Sequence, residues 1–174
     1  MPTSTSRTRS SKEYHLPGVK FNRIIGIDPG LSATGFGVLE KGKVLGFGVI
    51  RTDARVPVAQ RLAQLGNELE QVLNRFKPSC CAIETLFFKN GGARSVILSA
   101  QSRGVLMFIL AQKKIPIFEL TPATIKLAIT GSGRASKTQL NFMVRKVLKI
   151  TGAVQEHAAD ALAVAYCLQN RQPR

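Results

Sequence analysis

Asp28 and Glu84 each follow a short run of apolar residues, at the point where a buried strand would reach solvent. Asp28 comes after Arg23–Ile27 and precedes a Pro-Gly pair, and Glu84 comes after Cys80–Ile83. If these strands are parallel neighbours, both carboxylates emerge at the same sheet edge, where α/β sheets usually bind ligands. An Asp-Pro-Gly segment by itself predicts no more than a turn.

A third acid, Asp160, lies in a predicted helix three residues after His157. That spacing puts both side chains on one helical face. The surrounding residues are small, so the helix can pack closely on a sheet and press Asp160 inward. An unpaired buried carboxylate is costly, and a cation compensates it. Glu156, four residues before Asp160, is an alternative to His157.

Each of these four residues also has a purely structural explanation: a turn for Asp28, an arginine partner for Glu84, a helix start for His157 and a cap for Asp160. Taken together they are hard oxygen ligands plus one imidazole, a set that suits Mg²⁺ or Mn²⁺. Two such ions, ~3.5–4 Å apart, activate the attacking water and stabilise the leaving oxygen in phosphodiester hydrolysis. We therefore expect a metal-dependent phosphodiesterase.

The charge distribution favours a nucleic-acid substrate. The 174-residue chain has a formal net charge of +15, and residues 85–155 contain eleven basic side chains against one acid, Glu119. Such an excess neutralises backbone phosphates and releases their counterions. A membrane surface is disfavoured, because the basic residues do not gather on one amphipathic helix. The longest apolar run, residues 104–111, is well below the roughly 18–20 residues that span a bilayer, so we expect no transmembrane helix.

The three cysteines, Cys80, Cys81 and Cys167, are an odd number and lack metal-ligand spacing, which favours a reducing compartment. Length and an apolar content of 44% fit one globular domain. We predict a disordered basic arm over residues 1–22, one folded domain over residues 23–170 and a tail over residues 171–174.

The periodicity predicts three antiparallel strands followed by alternating helices and strands. The predicted strands are Arg23–Ile27, Gly35–Glu40, Lys43–Arg51, Cys80–Ile83 and Ile115–Leu120, and the helices are Val58–Phe76, Gly92–Gln112, one from Pro122 to the Gly131–Gly133 segment, one from Ser136 to Lys149, and Glu156–Asn170. This order predicts an α/β fold with a mixed sheet of about five strands and helices on both faces. The helix over 92–112 is apolar nearly all round, so it needs a second covering surface, such as another subunit.

Several segments resemble, in order and over residues 23–168, the RuvC family of bacterial Holliday-junction resolvases. They are Gly26–Gly30 with Thr34–Gly37, Ala82–Glu84, Gln101–Val105 and His157–Ala163. The resemblance implies a ribonuclease-H-like nuclease domain over residues 23–170, a homodimer, and a Mg²⁺-dependent endonuclease. It also implies resolution of four-way DNA junctions by paired symmetric nicks in homologous recombination and repair, a cytoplasmic bacterial location and a branch-migration helicase partner.

By the same resemblance, Asp28, Glu84, His157 and Asp160 are the catalytic residues that hold two metal ions. Many family members have aspartate at the position of His157, and the imidazole here tilts the preference toward Mn²⁺. The resemblance further implies roles for a set of DNA contacts. In that set Phe87, which Phe88 follows, stacks on an unpaired base. Lys126 and Lys137 lie near the scissile phosphate, where Lys137 stabilises charge in catalysis. Arg134 binds the DNA backbone.

Arg94 and Arg103 each have two interpretations: they contact a DNA phosphate, or they form a salt bridge between subunits. Three other functions compete with this one. A ribonuclease-H-like nuclease for RNA or another branched substrate would use the same acids. A phosphotransferase of the actin and sugar-kinase type needs two such domains, for which 174 residues are too few. A catalytically silent DNA-binding module has no need for buried acids.

Overall fold

The computed structural model describes residues 21–85 and 92–171. The strands are β1 (Arg23–Asp28), β2 (Ala33–Glu40), β3 (Lys43–Arg51), β4 (Cys80–Glu84) and β5 (Ile117–Leu120). The helices are α1 (Val58–Phe76), α2 (Ala93–Gln112), α3 (Pro122–Thr130), α4 (Lys137–Val147) and α5 (Glu156–Gln169).

The strands form one five-stranded sheet in the order β3-β2-β1-β4-β5. The β3-β2-β1 part is antiparallel, whereas β4 pairs parallel with both β1 and β5. Helices cover both faces, α1 and α2 on one and α3, α4 and α5 on the other. The predicted mixed α/β sheet is confirmed.

Local sequence signals explain most element boundaries. Thr121 caps α3 by accepting a hydrogen bond from the backbone N–H of Thr124 at 3.3 Å, and Gly131 ends that helix with a left-handed φ of 75°. Ser136 and Gln139 form the predicted capping box of α4. That helix ends at Val147, two residues before the predicted end, because Lys149 adopts a left-handed φ of 52°.

The sheet separates two apolar cores. In β1, Ile25 and Ile27 point into the core with α1 and α2, whereas Ile24 points toward α5. The alternation of side chains along a strand therefore places Asp28 on the α5 face. Phe21, which we assigned to the N-terminal arm, packs its ring 5.1 Å from the ring of Phe118 in the α5-side core.

Glycines on β1 and β2 bring the backbone of α5 unusually close to the sheet. A Cβ atom on Gly35 would lie 1.8 Å from the carbonyl oxygen of His157, and one on Gly26 would lie 2.0 Å from that of Ala161. No side chain fits in that space, so glycine is required for this close approach. The approach sets the first turn of α5 directly over the end of β1.

One face of α2 packs inside the domain and another is exposed. Leu106, Ile109 and Leu110 belong to the core with α1, but Ile97 and Phe108 are 56% and 61% exposed. By length and composition alone, α2 could cross a membrane, which differs from our sequence expectation. Its buried residues and its packing on α1 make it a helix of the folded domain.

Candidate active site

Two carboxylates meet at the end of the parallel part of the sheet. Strands β1 and β4 are neighbours with Ile27 opposite Ile83, so Asp28 and Glu84 come next in register. Cys80 and Ala82 point into the α5-side core, and alternation therefore puts Glu84 on the same face as Asp28. The parallel arrangement expected from the sequence is confirmed.

The first turn of α5 adds His157 to this edge. Its Nδ1 atom lies 2.8 Å from Oδ2 of Asp28, and the two side chains are 40% and 17% exposed. The hydrogen bond to the Asp28 carboxylate raises the pKa of His157 above its usual value, and burial opposes this shift. His157 and Asp28 thus form a hydrogen-bonded pair between the last helix and the first strand.

Asp160 lies one turn further along α5 and is 14% exposed. Its Oδ2 atom is 3.2 Å from Nζ of Lys137, whereas Oδ1 is buried and has no hydrogen-bond partner among the described residues. Burial and then the negative charge of Asp28 raise the pKa of Asp160, while Lys137 acts in the opposite direction. A buried carboxylate with one unsatisfied oxygen is the kind of group that a cation stabilises.

Lys137, the first residue of α4, forms ion pairs with both Asp160 and Glu156. Burial lowers the pKa of Lys137, but the two carboxylates outweigh it and the pKa is raised overall. Glu156 has an exposed side chain, and its hydrogen bond to Lys137 lowers its pKa. Glu156 therefore pairs with Lys137 at the rim, whereas His157 lines the cleft.

These side chains surround one cleft of about 230 Å³. Its polar lining consists of Asp28, Glu84, Lys126, Lys137, His157 and Asp160, and its apolar lining of Pro122, Ile125, Leu140 and Val164. Six residues from five elements, β1, β4, α3, α4 and α5, thus meet in a single concave site. The three carboxylates and the imidazole proposed as metal ligands are all among them.

The donor set fits a divalent ion, although its groups are not gathered around one point. Within residues 21–85 and 92–171, no three His, Cys, Asp or Glu side chains are close enough together to hold an ion as they stand. The fit rests on the unsatisfied Oδ1 of Asp160 and on the hard oxygen ligands that share its cleft. Asp28 meanwhile interacts with His157, which is positive when protonated, and Asp160 interacts with the positive Lys137. These partners balance the charge of the two carboxylates.

The other predicted DNA contacts lie in different places. Arg134 lines a neighbouring cavity of about 330 Å³, together with Thr130 and Phe142, between α3 and α4. Phe87 and Phe88 lie outside the described residues. Arg94 is exposed in the first turn of α2.

Arg103 has a role that the sequence did not reveal. Its guanidinium donates to the backbone carbonyl of Glu84 at 2.5 Å and to Oε2 of Glu119 at 2.6 Å, and its side chain is 9% exposed. Arg103 therefore ties α2 to the ends of β4 and β5 within one subunit, instead of reaching a phosphate or a second subunit. Glu119, as the single acid in a basic region, was the signal that could have indicated this pair.

Comparisons with known proteins agree on one family. The family model for crossover junction endodeoxyribonuclease RuvC matches residues 24–168. The protein of that name from Thermomicrobium roseum is 41% identical over 149 residues, which are 83% of this chain and 91% of the relative. The one from Hydrogenovibrio crunogenus is 44% identical over 153 residues, or 85% and 87%. The solved structure of T. thermophilus RuvC in complex with Holliday junction substrate is similar with a TM-score of 0.76, at 29% identity and with 83% and 91% coverage.

Proposed function

Because the chain belongs to the RuvC family of crossover junction endodeoxyribonucleases, we propose that it resolves four-way DNA junctions by paired symmetric nicks. This activity serves homologous recombination and repair. One structural observation supports it above the others: Asp28, Glu84, His157 and Asp160, remote from one another in sequence, line the same cleft. A basic chain with buried acids in a cleft is the arrangement needed to hydrolyse a polyanion through bound cations.

We propose Asp28, Glu84, His157 and Asp160 as the metal ligands of this metal-dependent nuclease. Mg²⁺ is the expected ion, two per site, and the imidazole of His157 favours acceptance of Mn²⁺. The bound ions would supply activation of water and stabilisation of the leaving oxygen. Arg103 supports Glu84 in this role, because its hydrogen bond fixes the backbone of that residue.

Lys126 of α3 and Lys137 of α4 provide positive charge in the cleft. We propose that both contact the DNA backbone beside the scissile phosphate, and that Lys137 also stabilises charge that develops during hydrolysis. The position of Lys137, with Nζ 3.2 Å from Asp160, supports this assignment. The ion pairs with Asp160 and Glu156 hold its ammonium group at the rim of the cleft.

We propose that Phe87 stacks on an unpaired base at the junction centre and that Arg134 binds the phosphate backbone of one DNA arm of the junction. The support for Phe87 is its place in the chain. It is the third residue after Glu84, one of the proposed metal ligands. Arg134 lies in the turn between α3 and α4, the two helices that also carry Lys126 and Lys137.

We propose a homodimer that uses the exposed face of α2. Ile97 and Phe108 are large apolar side chains on that face and remain 56% and 61% exposed. A two-fold dimer presents one site to each of two opposed strands, which matches the near two-fold symmetry of a four-way junction. A branch-migration helicase as a partner and a cytoplasmic location complete the proposal.

The experiment that tests this function compares three labelled substrates: a synthetic four-way DNA junction, a linear DNA duplex and an RNA–DNA hybrid. Each is incubated with the full chain and Mg²⁺ or Mn²⁺, and the products are separated on a denaturing gel. We expect symmetric nicks in the junction and little cutting of the other two substrates. Preferential cutting of the hybrid would favour the ribonuclease alternative instead.

A further inference from the structure

A second groove lies at the end of the sheet opposite the active site. It has a volume of about 570 Å³, within the ~300–1,000 Å³ range typical of ligand clefts. One wall is the turn between β2 and β3, and the other is the end of α4 with the residues after it. We call it the lysine groove, defined by Lys41, Gly42, Lys43, Val44, Phe47, Val147, Leu148, Lys149, Ile150 and Thr151.

Among the residues that the structure describes, the groove is lined by three basic side chains and by no acidic one. Lys41, Lys43 and Lys149 line it, all three are exposed, and none has a carboxylate partner among the described residues. The nearest acid along the chain, Glu40, is paired with Arg23 at 2.7 Å. The three ammonium groups are therefore available to an acidic ligand.

The groove also has apolar side chains along its walls, which phosphate binding does not require. Phe47 is 37% exposed, and Val44, Val147 and Ile150 are half-buried along the walls. Phe47 lies opposite Gly37 on the α5 face of β3, and β3 is an edge strand of the sheet that residues 21–85 and 92–171 form. An aromatic ring between aliphatic side chains is suited to accept an apolar side chain of a ligand.

The lysine groove is well separated from the active site. Glu40, next to the Lys41-Gly42 turn, pairs with Arg23 at the start of β1, whereas Gly35 pairs with Asp28 at its end. Five residue steps along a strand correspond to roughly 17 Å. A ligand in the groove thus leaves the catalytic cleft open.

We propose that the lysine groove binds a short acidic peptide segment, with at least one large apolar side chain, that belongs to a partner protein. Charge complementarity selects the acidic residues, and the Phe47 wall selects the apolar one. A second copy of this chain does not supply such a segment, because its ten acids are dispersed along the sequence. A DNA backbone would satisfy the lysines but would leave the apolar wall unused. The groove is in this way a docking site for a protein that acts together with the enzyme.

The test uses a fluorescein-labelled peptide of eight aspartates interrupted by one central phenylalanine, with the same peptide carrying alanine at the centre. Binding to the full chain is followed by fluorescence polarisation. The variants are Lys43→Glu and Phe47→Ala. The matched control is Lys77→Glu, which makes the same charge change at an exposed lysine at the end of α1.

We expect Lys43→Glu to weaken peptide binding by roughly tenfold or more, because repulsion replaces attraction in the groove. Phe47→Ala should abolish the preference for phenylalanine over alanine in the peptide. Lys77→Glu should bind as the wild type does, and nicking of a four-way junction should be unchanged in Lys43→Glu. Equal losses in Lys43→Glu and Lys77→Glu, or no binding at all, would overturn the proposal. So would a drop in junction affinity in Lys43→Glu that matches the drop in peptide affinity, since the groove would then be a DNA surface.

Discussion

The Nδ1 atom of His157 lies 2.8 Å from Oδ2 of Asp28, although 129 residues separate the two in the sequence. The contact joins the first strand to the last helix, and it is made within the cleft that contains Glu84 and Asp160. Gly35 permits it, because a side chain there would collide with the backbone of His157. The contact thus depends on the close packing of α5 on the sheet.

The Asp28–His157 pair predicts a pH-dependent stability of the ion-free protein. The carboxylate raises the folded-state pKa of His157, so the stabilisation is fully present below the unfolded pKa and is lost as pH rises through the folded one. In EDTA, His157→Gln should therefore be destabilised relative to wild type at about pH 6 and much less at about pH 8.5. Urea unfolding at both pH values measures the difference. The prediction would be contradicted if the difference in free energy of unfolding between wild type and His157→Gln were equal at both pH values, or larger at the higher pH.

The position of Lys137 in the cleft predicts that its replacement changes the rate of nicking without a matching change in DNA affinity. Lys137→Met should slow junction nicking by roughly 10²-fold, because one charge beside the reacting phosphate is lost. Lys137→Arg should keep more of the rate. Single-turnover cleavage with enzyme in excess, together with a gel-shift measurement of affinity, separates the two effects. Lys146→Met, an exposed cation on the same helix but outside the cleft, is the control; if it were slowed equally, the specific role of Lys137 would be refuted.

The close approach of α5 to Gly35 predicts that the packing of this helix on the sheet and the activity of the site depend on each other. Gly35→Ala would place a Cβ atom 1.8 Å from the carbonyl oxygen of His157, so α5 must move away from β2. We expect a loss of about 1–3 kcal/mol in the free energy of unfolding, together with slower nicking. The comparison is Gly133→Ala, where the nearest atom outside adjacent residues would be at an ordinary 3.5 Å. Similar stability of the two variants would show that α5 tolerates the displacement.

The exposed face of α2 predicts the oligomeric state. Phe108→Glu should convert a dimer into a monomer, because it puts a charge into the proposed apolar interface. Phe142→Glu, which alters a phenylalanine of similar exposure on α4, should leave the dimer intact. Sedimentation velocity distinguishes the two states. A wild-type monomer, or a dimer that survives Phe108→Glu, would exclude this face as the interface.

The sequence predicted the architecture well where local signals were strong. The hairpin between β2 and β3, the cap at Thr121 and the box formed by Ser136 and Gln139 depend on residues close together in the chain. The two acids at strand ends were expected to reach the same sheet edge if their strands were parallel neighbours, and β1 and β4 meet that condition. The hairpin and the two caps follow from local spacing, whereas the meeting of the acids also required the pairing of β1 with β4.

The rest depended on contacts between distant elements. Nothing near Arg103 in the sequence indicates that it binds the carbonyl of Glu84, 19 residues earlier. The pairing of Lys137 with Asp160 likewise needs the actual crossing of α4 and α5. The requirement for glycine at positions 26 and 35 becomes clear only when α5 is seen on the sheet.

The central claim is that Asp28, Glu84, His157 and Asp160 perform hydrolysis, whereas basic side chains in and around their cleft, together with Phe87, hold the DNA. The most direct measurement compares wild type with Asp28→Asn on a labelled four-way junction, recording both nicking in Mg²⁺ and affinity by gel shift. We predict that Asp28→Asn forms no detectable nicks, while its junction affinity stays near that of wild type. Nicking at the wild-type rate by Asp28→Asn would contradict the assignment of this cleft as the active site.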